Sequence, residues 1–187
     1  SDTNYVYVDF DPGEEVGKLV DGNLTLKGED VYKWEINVPE TTLGAAPGNT
    51  IGWDFIYSTG SINISANASK KFIIIPVPRN PCDNAFSSLT TWEAWHDYKW
   101  PIAYAENGIT GFSPDAFEVD IEFFEQANNL YGGTFEVTTS GDTLYLEFIH
   151  HVPQCGDLAV NGGPGLCGYP GGDGGPGVCN GAGGDGG

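Results

Sequence analysis

Cations are scarce in this chain: seven Lys and Arg stand against 26 Asp and Glu, a net charge of −19 over 187 residues. So strong a negative field repels the phosphates of nucleic acid and the headgroups of an anionic membrane, and no basic amphipathic stretch offsets it. Long apolar runs are missing too. The longest, residues 72–77, contains Pro76 and falls short of the ~18 residues a membrane-spanning helix needs. Neither nucleic acid nor membrane insertion is therefore expected. Methionine is absent altogether, so Ser1 is expected to be the residue left when a signal peptide was removed. No C-x2-C pair occurs, which speaks against a zinc site. There is no G-x-S-x-G elbow, phosphate loop or dinucleotide fingerprint.

What is present suffices for a core: 40% hydrophobic residues, with 5 Trp, 9 Tyr and 10 Phe. The four cysteines, Cys82, Cys155, Cys167 and Cys179, are even in number and fit an oxidising compartment, where they are expected as disulfides. Their pairing stays open among three intrachain arrangements and bonds to neighbouring chains. Three Asn-x-Ser/Thr sequons, at Asn23, Asn63 and Asn67, point to covalent N-glycans. Together these features predict a secreted, extracellular glycoprotein.

Residues 1–155 read as strands. Residues 31–38 alternate, with Tyr32, Trp34, Ile36 and Val38 on one face. Asp21-Gly22 signals a tight turn between two short strands, and Ser140-Gly141-Asp142 a hairpin over residues 134–152. Residues 51–57, 61–66 and 72–77 continue the series. Residues 4–10 (NYVYVDF) are apolar on both faces, as in the inside of a sandwich, its own or a neighbour's. Short strands at regular spacing predict an all-β fold, an antiparallel β-sandwich of jelly-roll or immunoglobulin-like type. A helix fits only at residues 86–99.

Residues 156–187 are different material: fifteen of the 32 are glycine. Gly162, Gly165, Gly168, Gly171, Gly174, Gly177, Gly183 and Gly186 fall on every third position, broken at Asn180. Three residues per turn is the period of the polyproline II helix, and glycine at each turn leaves one edge open to other extended chains. The tail resembles collagen, with Gly-X-Y triplets and proline at Y. It is similar, too, to the glycine-rich polyproline II bundles of some antifreeze proteins. Cys167 and Cys179 lie four such turns apart, ~37 Å along an extended segment, so they pair only if the tail folds back.

The enzyme-like motif is Glu118-Val119-Asp120-Ile121-Glu122, whose three carboxylates would share one face of a strand. It resembles the E-x-D-x-E strand of family 16 glycoside hydrolases. That resemblance implies Glu118 as nucleophile, Glu122 as acid/base and Asp120 as their assistant, in a small β-glucan hydrolase. A solvated acidic strand is the bland alternative in a chain with 26 acids. Trp92, Trp95, Tyr98 and Trp100 fall within nine residues. Exposed, they would stack sugar rings, as in a carbohydrate-binding module for polysaccharide. Buried, which is commoner for aromatics, they plug a core. Asp9, Asp11 and Glu14 could hold calcium, the only cofactor the sequence suggests, although their spacing is not that of an EF-hand.

Without a convincing catalytic set, the sequence predicts a structural role. The chain would be a self-assembling subunit of a fibre, filament or surface matrix, a homo-oligomer joined through residues 156–187. A carbohydrate-binding module is the first alternative, the β-glucan hydrolase the second, and ice or mineral binding the third.

Overall fold

The computed structural model describes residues 16–40 and 44–152. The strand expected at residues 4–10, the calcium candidates Asp9, Asp11 and Glu14, the cysteines Cys155, Cys167 and Cys179, and the whole glycine-rich segment 156–187 lie outside the described residues.

Three successive turns of chain each lay down three strands. The first contains β1 (Lys18–Asp21), β2 (Leu24–Leu26) and β3 (Val31–Ile36). An excursion then adds the short β4 (Ala46–Pro47) and β5 (Gly52–Trp53). The second turn contains β6 (Phe55–Ser58), β7 (Ile62–Ile64) and β8 (Phe72–Pro78). The third contains β9 (Tyr98–Ala105), β10 (Ile109–Thr110) and β11 (Phe117–Val119). A helix, α1 (Glu122–Ala127), and a hairpin, β12 (Thr134–Ser140) and β13 (Thr143–Ile149), complete the described chain.

Equivalent strands of successive turns stack side by side, all parallel: β1 on β6 on β9, β2 on β7 on β10, and β3 on β8 on β11. The result is a short, three-sided parallel coil. Two sides are widened. The hairpin extends one into the sheet β1-β6-β9-β13-β12, and β5 with β4 extends another into β11-β8-β3-β5-β4.

The all-β expectation holds, but the antiparallel one does not: seven of the ten strand pairings are parallel. The turn at Asp21-Gly22 shows why. A tight turn either folds a strand back on its predecessor or swings it onto the next side of a coil, and its own residues do not distinguish the two. Here β1 and β2 do not pair, and the turn is a corner. Its atoms bond to the corner of the next turn of chain instead: Thr59 N donates to Asp21 O (2.8 Å), and Ser61 N donates to Asn23 Oδ1 (2.9 Å). That second corner bonds onward, through Asn107 N to Gly60 O (2.9 Å). Gly60 is needed for this stacking, because a Cβ there would run into Asn23 Oδ1. The hairpin predicted after residue 134 does form, with Gly141 at φ 58° in its two-residue turn.

Alternation places Leu24, Tyr32, Trp34, Ile36, Ile62 and Ile74 in one continuous core. The two five-stranded sheets meet across it. Trp34 of one touches Trp100 of the other at 5.4 Å between ring centroids, and Trp53 Nε1 donates to Pro101 O (2.9 Å). The opposite face of β3 is closed as well. Glu35 is fully buried there, bonded by Arg79 through Nε (3.0 Å) and Nη2 and ion-paired with Lys33 Nζ (2.8 Å). No helix forms at residues 86–99, where turns lead into β9.

Candidate functional site

The acidic motif does not sit on one strand. β11 ends at Val119, and Asp120 Oδ1 accepts a hydrogen bond from Glu122 N (3.1 Å), which turns the chain into α1. Glu122 occupies the first helical turn and accepts from Gln126 Nε2 (3.4 Å), while Glu118 stands exposed on the strand. The period changes with the turn. The run Phe117, Val119, Ile121, Phe123 reads as a single alternating strand, yet Phe124 is the fully buried ring and Phe123 is exposed. Burying Phe124 requires a helix at this point, and that requirement overrides the alternation. The E-x-D-x-E geometry behind the glycoside hydrolase resemblance is therefore not formed, and Glu118 and Glu122 belong to different elements. Among the described residues, no group of three His, Cys, Asp or Glu could hold a metal ion.

Three of the four clustered aromatics form a buried column. Trp92 stacks on Tyr98 (4.9 Å, 17°), Tyr98 on Trp100 (5.2 Å, 7°), and Trp100 on Phe135 (6.3 Å, 21°). Burial pushes the Tyr98 hydroxyl up from its ordinary pKa. Tyr98 and Trp100 are buried and Trp92 half-buried, which leaves Trp95 as the one exposed member. A flat sugar-stacking platform made of all four is not available.

The three sequon asparagines are all exposed, at or beside the small sheet β2-β7-β10. In each, the side-chain oxygen is engaged. Asn23 accepts from Ser61, Asn63 from Thr110 Oγ1 (3.2 Å), and Asn67 from Ser69 N (3.0 Å). The side-chain nitrogens, the atoms that would carry a glycan, have no partner among the described residues. Cys82 is exposed and forms no disulfide within the described residues.

Two carboxyls with lowered pKa fasten the hairpin. Asp97 is held down by hydrogen bonds from the backbone N (2.9 Å) and ring Nδ1 (2.7 Å) of His150. Burial works upward on Glu147, but hydrogen bonds from Lys99 and Thr138 outweigh it.

Sequence reasoning missed an open cleft of about 410 Å³ at the end of α1, whose lining includes Ile121, Glu125, Gln126, Asn129, Leu130 and Tyr131. The signal was the turn-forming run Asn128-Asn129 to Gly132-Gly133, which brings Tyr131 to the surface at 52% exposure. No protein-family model, curated protein or solved structure matches the chain.

Proposed function

We propose that the chain is a subunit of an extracellular fibre, filament or surface matrix, N-glycosylated at Asn23, Asn63 and Asn67, that assembles with copies of itself. One observation carries the reading: both ends of the parallel coil have unpaired strand edges among the described residues. β1 and β2 have no outer neighbour at one end, nor do β10 and β11 at the other. Because the stacked strands all run the same way, a second copy can continue a side of the coil. Such a head-to-tail contact repeats without closing.

Charge is distributed unevenly along the same axis. Residues 16–97 carry six Lys and Arg against nine Asp and Glu, whereas residues 98–152 carry one against nine. Lys27 on the first turn can face Asp115 and Glu118 on the third turn of a neighbour. The glycine triplets of residues 162–187 would add lateral packing of polyproline II type. We read the facing five-stranded sheets as sandwich-like packing, in a strand order that is neither jelly-roll nor immunoglobulin-like.

Electron microscopy and light scattering on the untreated protein test assembly. Filaments or large oligomers are expected, diminished when residues 162–187 are deleted. A strict monomer at high concentration would overturn the reading.

Glycosylation has its own test. Thr25→Val should abolish the glycan at Asn23, seen as a mass loss, and leave the melting temperature nearly unchanged, since Thr25 is exposed. Asn23→Ala should also lose the glycan but cost about 1–2 kcal/mol, because the Ser61 N–H loses its acceptor.

A further inference from the structure

We propose that the cleft beyond α1 binds a neutral saccharide, through hydrogen bonds to Glu125, Gln126 and Asn129 and a stacking contact with Tyr131. This inference does not depend on the assembly proposed above. At about 410 Å³ the cleft is large enough for a small ligand and open enough to admit one end of a longer chain.

Its lining selects the ligand chemistry. There is no cation in it, so a phosphate or carboxylate ligand would meet the Glu125 carboxylate with nothing to balance its charge. A wholly apolar ligand would cover the Glu125 carboxylate, Gln126 Oε1 and Asn129 Nδ2 with nothing to replace their water. A cationic ligand would find one carboxylate only. A sugar ring satisfies all of these groups: its hydroxyls donate to Glu125 and to Gln126 Oε1 and accept from Asn129 Nδ2, and its C–H face covers an aromatic ring. Tyr131 supplies that ring.

The floor is already held in place. Asn128 is buried, accepting from Leu89 N (3.0 Å) and donating to Phe124 O (3.3 Å). Trp92 Nε1 donates to Asn129 O (3.0 Å), and Asn129 Oδ1 accepts from Tyr131 N (2.9 Å). The buried aromatic column thus anchors the loop that presents Tyr131. A site built this way pays little ordering entropy on binding.

Nuclear magnetic resonance titration with cellotriose, laminaritriose, maltotriose, mannotriose and chitotriose tests the proposal. At least one is expected to bind, with shifts concentrated in residues 121–133 and an affinity indifferent to salt. Tyr131→Gly should weaken binding about tenfold or more, by loss of the ring contact. The same variant should melt no lower than the parent, because Tyr131 sits at φ 47°, where glycine is unstrained. Gln126→Ala, on the exposed side of the helix, should weaken binding without touching the core. Absence of any shift at ~10 mM of every sugar, weaker than the affinity range such a site needs, would overturn the proposal. So would unaltered affinity in Tyr131→Gly, or binding that collapses with salt.

Discussion

Trp100→Ala should destabilise the protein by about 3–5 kcal/mol and lower its melting temperature by roughly 10 °C. The ring is 1% exposed and lies where the two large sheets meet, in contact with Tyr98 on one side and Trp34 on the other. Alanine would leave a cavity that the stacked Tyr98 ring and the tilted Trp34 ring cannot collapse to fill. It would also orphan Pro39 O, which accepts from Trp100 Nε1 at 2.9 Å. Trp100→Phe keeps most of the volume and loses the hydrogen bond, so it should cost only about 1–2 kcal/mol. Differential scanning calorimetry separates the two. If Trp100→Ala left the melt intact and abolished saccharide binding, Trp100 would be part of a binding platform and the buried-column description would fail.

Arg79→Leu should cost about 3–5 kcal/mol, because it leaves the Glu35 carboxylate buried with Lys33 as its remaining cation. Among the described residues Glu35 Oε2 already has no hydrogen-bond partner, so they hold no reserve to absorb the loss. The double variant Glu35→Leu with Arg79→Leu should recover much of the stability, because an apolar pair does not have to be desolvated. Urea denaturation of the two variants measures both effects. A double variant no more stable than Arg79→Leu would show that the pair is needed for something beyond charge balance, such as the register of β3 on β8.

Parts of this structure were legible residue by residue. Tyr32, Trp34 and Ile36 alternate with Lys33 and Glu35, and the core takes the first three. Gly141 marked a real hairpin. Asp120 and Glu122, by contrast, read as two rungs of a strand and proved to be the turn and first residue of a helix. Phe123 and Phe124 are adjacent and chemically alike, and nothing local says which of them the core admits. The cleft was hidden for a related reason. Tyr131 looks like any surface aromatic until Trp92, far away in sequence, is seen to anchor the neighbouring Asn129.

Over residues 31–36, strand formation and the face that carries Tyr32, Trp34 and Ile36 were determined by sequence alone, since side-chain alternation is a local property of an extended chain. The direction and partner of each strand were decided only in three dimensions. Lys18 pairs with Phe55, and Phe72 with Phe117, through backbone groups that every residue carries. Backbone hydrogen bonds between distant segments leave no signature in side-chain order, so a parallel coil and an antiparallel sandwich can be written in nearly the same alphabet.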